Sequence, residues 1–94
     1  MNKDLFNSIL DKFTDYLRYE KRFSDNTIKS YKSDLVEFFD YVDNYYPNLK
    51  FEDINFNIVR SWMVNLIEQD YKKTSINRKI SCLSKLHTNL LIIK

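Results

Sequence analysis

The fold class is decided by the stretch Ser24-Asp25-Asn26-Thr27-Ile28-Lys29-Ser30-Tyr31-Lys32-Ser33-Asp34-Leu35, which begins a long amphipathic helix. Apolar side chains recur there and beyond at intervals of three and four residues, which is the period of an α-helix. They are Ile28, Tyr31, Leu35, Phe38, Phe39 and Val42. Ser24 has a hydroxyl suited to cap the first turn. We expect the helix to end near Tyr46, since Pro47 disfavours helical geometry in the residue before it.

Three other segments have the same spacing and predict three more helices. Their apolar positions are Leu5, Phe6, Ile9, Leu10, Phe13, Tyr16 and Leu17; then Ile58, Val59, Trp62, Met63, Leu66 and Ile67; then Ile76, Ile80, Leu83, His87 and Leu90. The expected N-caps are Asp4, Asn55, and either Thr74 or Ser75. No clear period-two stretch bounded by turn residues is present. The prediction is therefore an all-α fold, a four-helix bundle whose short links favour antiparallel neighbours.

Composition narrows the class of protein further. The 94 residues suit a single domain spanning 1–94, since chains this short seldom divide into two cores. The absence of Gly excludes the phosphate-binding loops of P-loop and dinucleotide-binding proteins. One cysteine, Cys82, excludes an internal disulfide and a multi-cysteine zinc site. No apolar run approaches the roughly 18 residues of a membrane span, so we expect a reduced, cytoplasmic domain with no membrane partner.

The charges are segregated along the chain although the net charge is only +2. Residues 34–53 carry a net charge of −5, whereas residues 54–94 carry +5. On the outer side of the fourth helix lie Arg78, Ser81, Lys85 and Asn89, with Asn77 on a flank. Asn26, Lys29, Ser30 and Ser33 point away from the apolar stripe of the second helix. Such donors suit phosphates and base edges; an ordinary solvated helix surface is the alternative explanation.

No catalytic or metal-ligating constellation is evident in the sequence. His87 falls on the core side of the fourth helix, which is typical of a packed histidine rather than of a metal ligand. Cys82 falls on the flank of the same helix, where we expect a small surface filler. The carboxylates of residues 34–53 are spread around a helix and a link, which argues against a general acid/base pair. We therefore expect no cofactor, no metal and no catalytic residue.

Two segments carry a resemblance to a known family. The run Phe23-Ser24-Asp25-Asn26-Thr27-Ile28-Lys29-Ser30-Tyr31-Lys32-Ser33-Asp34-Leu35, with Phe38 after it, resembles the second helix of the N-terminal core-binding domain of tyrosine recombinases, the phage integrase and Xer group. Thr74-Ser75-Ile76-Asn77-Arg78-Lys79-Ile80-Ser81-Cys82-Leu83 is similar to the fourth helix of that domain. The resemblance implies a SAM-like helical domain that forms half of a clamp around a recombination core site, in a DNA integration or recombination protein of a mobile element.

The resemblance also implies partners and contact residues. The partners are double-stranded DNA, the catalytic domain of the parent chain and other recombinase protomers on the DNA. Helices 2 and 4 would approach the major groove and the phosphates. By position, the implied DNA-binding residues are Thr27, Lys29, Ser30 and Ser33, followed by Lys73, Thr74, Asn77, Arg78, Lys79, Ser81 and Lys85. Lys79 lies nearer the core flank than the others. Ser84 and the pair Leu86-His87 depart from the family's usual pattern.

The resemblance places catalysis outside this chain. The family's catalytic residues belong to a C-terminal domain that would begin beyond Lys94. His87 is followed by Thr88, Asn89 and Leu90, so it does not supply the family's His-x-x-Arg pattern. We therefore expect the chain to bind DNA without being an enzyme itself. The alternative is a helical protein–protein interaction module with no nucleic-acid partner, docking through the acidic segment or the apolar C-terminus.

Overall fold

A computed structural model describes residues 3–50 and 53–90, and those residues form four helices. Helix α1 is Lys3–Asp15 and continues into a π-helical turn, Tyr16–Glu20; α2 is Asp25–Tyr45, α3 is Phe56–Glu68 and α4 is Lys73–Leu90. No strand occurs in these two ranges. The predicted all-α, four-helix bundle is confirmed. None of the described helices is both long and apolar enough to cross a membrane.

Helices α2 and α4 each contact the other three helices, and α2 carries much of the core. Leu35, Phe38 and Val42 on this helix are fully buried. The Phe38 ring meets the Trp62 ring of α3 edge to face, with 5.1 Å between centroids. The hydroxyl of Tyr46, at the end of α2, donates to Ser61 Oγ at 3.3 Å. Aromatic packing thus joins α2 to α3, and the polar face described below joins α2 to α4.

Two of the predicted helix caps are confirmed. Ser24 precedes α2 and its Oγ accepts a hydrogen bond from the Thr27 amide at 3.3 Å. Asn55 precedes α3 and its Oδ1 accepts from the amides of Asn57 at 2.9 Å and Ile58 at 3.3 Å. Each bond satisfies an amide that the first turn leaves without a helical partner. The predicted end of α2 is also confirmed, since Tyr46 is its C-cap.

The caps predicted for α1 and α4 are wrong. Asp4 lies inside α1, which already includes Lys3, and Thr74 and Ser75 lie inside the first turn of α4. The α4 start is shifted because the Lys72 carbonyl accepts from the Ile76 amide at 3.0 Å. The hydroxyls of Thr74 and Ser75 therefore do not occupy the capping position.

Helix α4 is also rotated relative to the prediction. Its fully buried side chains include Cys82, Leu83 and Leu86, whereas Ile80 and His87 are only half-buried. The expectation that Cys82 is a surface filler is wrong: its side chain is 0% exposed and its Sγ lies 3.4 Å from the Tyr31 carbonyl oxygen. The reason is that α4 packs on α2 as well as on α3. The side chains of Asn89 and Leu90 lie outside the described part of the chain.

Two apolar positions at the margins of the predicted stripes are exposed. They are Leu5 in the first turn of α1 and Ile67 in the last turn of α3. Ile67 follows the buried Leu66 by one residue and so points about 100° away from it. In α1 and α3, periodicity thus identified the buried stripe correctly and overestimated its width.

Helices end here without glycine, and two non-glycine residues take the left-handed conformation instead. Asp70 follows α3 with φ 61° and Arg22 follows the π-helical turn with φ 54°. After α3, the Tyr71 amide donates to the Leu66 carbonyl and the Asp70 amide to the Ile67 carbonyl, both at 3.1 Å. This pair of bonds is a Schellman motif, in which glycine is usual at the left-handed position.

Replacing Asp70 by Gly is therefore expected to stabilise the domain. The substitution relieves the left-handed strain and removes a negative charge from the C-terminal end of α3, for a gain of about 1 kcal/mol. In a domain of this size the melting temperature rises by roughly 4–8 °C, which circular dichroism can follow. Asp70→Ala removes the charge and keeps the strain, so it is the matched control. A glycine variant that melts no higher than the alanine variant would contradict this reading of the turn.

Candidate nucleic-acid interface

An ion-pair network joins α2 to α4 beneath the predicted interface. Its centre is Asp34, whose side chain is 1% exposed. The guanidinium of Arg78 binds it through two parallel bonds, Nε to Oδ2 at 2.9 Å and Nη2 to Oδ1 at 3.0 Å. The hydrogen bond to Asp34 raises the pKa of Arg78 above its usual value. The Arg78 side chain nevertheless stays 45% exposed, so it reaches from the network to the surface.

Lys79 is the second cation of the network and is buried. Its Nζ lies 2.8 Å from Asp34 Oδ1 and 2.7 Å from Glu37 Oε2, and 5.4 Å above the Tyr71 ring. Burial by itself lowers the pKa of Lys79, but the hydrogen bonds that its ammonium donates to Asp34 and Glu37 outweigh this effect, so that the pKa is raised overall. Lys79 is thus held charged in the interior.

The position of Lys79 changes the set of residues available to DNA. The resemblance implied a DNA contact for it, but the residue is only 2% exposed and its ammonium is bonded to two carboxylates. The structure thus corrects the expected DNA contact, because Lys79 lies beneath the candidate interface and not on it. A signal for the pairing is present in the sequence, because Asp34 stands between Tyr31 and Phe38 in the apolar sector of α2. A buried carboxylate is costly without a partner, so its position on one helix predicts a buried cation on a neighbouring helix.

The other α4 residues named by the resemblance lie at or near the surface. Lys73, Thr74 and Asn77 are exposed, whereas Ser81 and Lys85 are half-buried. Lys85 Nζ donates to Ser81 Oγ at 2.9 Å and lies 5.4 Å above the ring of Tyr31 on α2. Lys85 is therefore a third cation of α4, after Arg78 and Lys79, that contacts α2.

The α2 residues named by the resemblance lie along the first half of that helix. Thr27, Lys29 and Ser33 are exposed and Ser30 is half-buried. Ser30 is one turn before Asp34 and so lies on the side of α2 that faces Arg78. Lys29 is exposed roughly 140° around the helix from Asp34 and about 40° from Ser33, so it lies beside Ser33 on the polar surface of α2 rather than on the side that faces Arg78. We call this surface the α2–α4 face: Thr27, Lys29, Ser30, Ser33, Lys73, Thr74, Asn77, Arg78, Ser81 and Lys85.

The electrostatics of the α2–α4 face follow from these contacts. The network contains two cations and two carboxylates, so its formal charge is zero and Glu37 does not leave an unpaired charge beside the face. Positive charge on the face therefore comes from Lys29, Lys73 and Lys85. The exposed Asp40 belongs to the second half of α2, beyond the face. The arrangement suits a polyanion lying across α4 and the first half of α2.

Cys82 and His87, the side chains with the most potential for catalysis, both pack against other parts of the fold. Burial raises the pKa of the Cys82 thiol to about 12, so the thiolate needed for nucleophilic chemistry does not form at neutral pH. His87 is half-buried with its ring centroid 6.0 Å from that of Phe56, so it packs at the edge of the core rather than inside it. No group of three metal-ligating side chains occurs within the described ranges.

The fold and this face define a small, SAM-like helical domain with a polar surface built on two of its helices. The chain belongs to the family described as phage integrase, N-terminal SAM-like domain, whose pattern matches residues 10–92. It is 34% identical over 77 residues to the tyrosine recombinases XerC of Staphylococcus aureus strains USA300 and JH9. The alignment covers 82% of this chain and 25% of each relative, so the chain spans about a quarter of their length. No solved structure gives a significant match.

Proposed function

We propose that the chain is a single core-site-binding domain, residues 1–94, of a site-specific tyrosine recombinase, and that the α2–α4 face contacts duplex DNA. Membership of the integrase N-terminal family and the similarity to recombinases named XerC support this role. The observation that carries it is the α2–α4 face itself, where hydroxyls, amides and lysines are presented while the nearby acids Asp34 and Glu37 are paired.

The face offers two kinds of contact with a duplex. Lys29, Lys73 and Lys85 can neutralise phosphates, which supplies affinity without sequence information. Asn77, Arg78 and Ser81 lie along α4, and a major groove about 12 Å wide admits an α-helix. The domain would position the protein on its recombination site in the cytoplasm. Strand cleavage would belong to the catalytic domain of the parent chain, and other recombinase protomers would bind the same DNA.

Lys73→Gln and Lys29→Gln are each expected to weaken binding to a fluorescent duplex. Each removes one phosphate contact, so the slope of log K against log salt should become shallower by about 0.9 between about 50 and 200 mM salt. Anisotropy titrations measure both effects. Half of a clamp lacks the contacts of the other half, so we expect affinity in the micromolar range or weaker.

Lys50→Gln is the matched control for these titrations. Lys50 is exposed, but it follows the C-terminal end of α2, about 30 Å along that helix from its first turn. It should leave both affinity and slope unchanged. Absent or salt-independent binding at low salt would contradict the proposal. Self-association that is insensitive to DNA, measured by sedimentation, would instead favour a protein–protein interaction module.

A further inference from the structure

The guanidinium of Arg78 is held along one edge and free along another. Nε and one hydrogen of Nη2 donate to Asp34. Of the five N–H donors of the group, both on Nη1 and the second on Nη2 remain. Because Asp34 is itself buried, it fixes the plane of the guanidinium while the side chain stays 45% exposed. The edge formed by Nη1 and Nη2 is therefore the part of Arg78 that is available to a ligand.

Two acceptor pairs in DNA fit such an edge. Guanine presents O6 and N7 side by side in the major groove, and a phosphate presents two oxygens. The charge of the network distinguishes between them. Arg78 and Lys79 are balanced by Asp34 and Glu37, so the cluster attracts phosphate weakly at long range. Neutral base acceptors need oriented donors more than net charge, and orientation is what Asp34 supplies.

The position of Arg78 within the face also favours the base edge. It is in the second turn of α4, with Thr74 one turn before it and Ser81 one turn after it on the outer side of the helix. Lys73 at the start of α4 and Lys29 on α2 are both exposed, so their ammonium groups can reach the phosphates beside a groove. A donor in the middle of the face meets the groove floor when its neighbours meet phosphates.

We propose that Arg78 selects a G·C base pair by a bidentate contact to guanine O6 and N7, and that Asp34 is the positioning residue for this contact. The inference rests on the proposed DNA-binding function and adds a specificity to it. Lys79 and Glu37 support Asp34 from the interior and have no contact with the base in this scheme.

The test is a selection of the wild-type domain on short duplexes randomised at their central positions, followed by titration of the selected duplex and its single-base variants. We expect one guanine whose replacement weakens binding roughly 5- to 150-fold, the discrimination of a good bidentate pair. Arg78→Lys keeps the positive charge but loses the pair of parallel N–H donors that a bidentate contact needs. It should bind all variants of that position equally, with the salt slope unchanged. Lys73→Gln should keep the guanine preference and lower the slope.

Asp34→Asn tests the positioning role, because an amide offers one acceptor where the carboxylate offers two. We expect the guanine preference to fall towards that of Arg78→Lys at a temperature where circular dichroism shows the variant folded. Glu37→Gln weakens the same network at Lys79 without touching Arg78, and should keep the preference. If Asp34→Asn does not fold, Arg78→Lys still tests the guanine contact.

The outcomes separate this inference from the proposed function. A domain that binds no duplex would overturn both. A domain that binds with the expected salt slope but shows no guanine preference, or keeps the preference in Arg78→Lys, would overturn the guanine contact alone. A uniform loss of affinity in Arg78→Ala, with a slope lowered by about 0.9, would identify a phosphate contact instead.

Discussion

Asp34→Ala is expected to lower the free energy of unfolding by about 3 kcal/mol or more, because it leaves the buried Lys79 ammonium with Glu37 as its remaining carboxylate. A domain of this length has a total stability of roughly 5–14 kcal/mol, so the loss is a large part of it. Urea unfolding followed by circular dichroism measures the change. The effect arises because Asp34 and Lys79 are each almost completely buried, which makes an unpaired charge costly for either of them.

Two further variants distinguish the stability lost when one charge is left unpaired from the net contribution of the whole network to stability. Glu37 is 40% exposed, so Glu37→Ala should cost about 1 kcal/mol or less. The double variant Asp34→Leu with Lys79→Met replaces the buried charges by apolar groups and should recover most of the stability. Two results would show that the charges of the network are not shielded from water. One is a fall in the free energy of unfolding of less than about 1 kcal/mol in Asp34→Ala, and the other is a double variant no more stable than Asp34→Ala.

The second large effect is a loss of stability at alkaline pH caused by Cys82. The thiol has a pKa of 9.0 when unperturbed, and burial raises it to about 12 in the folded domain. Above pH 9 the unfolded chain therefore binds fewer protons than the folded one, and the free energy of unfolding falls as pH rises. The decrease is about 1.4 kcal/mol per pH unit, or about 4 kcal/mol by pH 12. Lys79, whose pKa is also raised, adds to it above pH 10.5.

Cys82→Ala isolates the contribution of the thiol. The variant loses some stability at every pH, because it removes a buried sulfur, but its stability should fall less steeply between pH 9 and 12 than that of the wild type. Urea unfolding at intervals of pH gives both curves, and the other titrating groups are common to them. Parallel curves would mean that the thiolate is as well accommodated in the folded domain as in water.

The sequence predicts the helices well because their apolar residues recur at a helical period and their caps are local. Ser24 and Asn55 bond to amides two or three residues away, so their role is contained in the adjacent sequence. The left-handed turns at Arg22 and Asp70 were not predicted, since neither position has the glycine that usually marks them. The π-helical turn after α1 likewise leaves no residue signature.

The interior of the site was less predictable, because it depends on how two helices are rotated against each other. Lys79 and Arg78 are adjacent in sequence and similar in charge, yet one is buried and the other half-exposed. Their difference is set by Asp34, 44 and 45 residues away. Cys82 was misplaced for the same reason, since the contact of α4 with α2 determines its burial. The outer residues of the α2–α4 face could be proposed from periodicity because they depend on one helix at a time.

DNA binding by the α2–α4 face is tested residue by residue by titrating the isotope-labelled domain with a short duplex at low salt and recording which amide resonances shift. We expect the shifts to concentrate in the first half of α2 and along α4, around Ser30, Asn77 and Arg78, and to decrease as salt is added. The acidic second half of α2, from Asp40 to Tyr45, should remain unshifted. Shifts confined to α1 and α3, or no shifts at DNA concentrations well above that of the protein, would contradict DNA binding by the α2–α4 face.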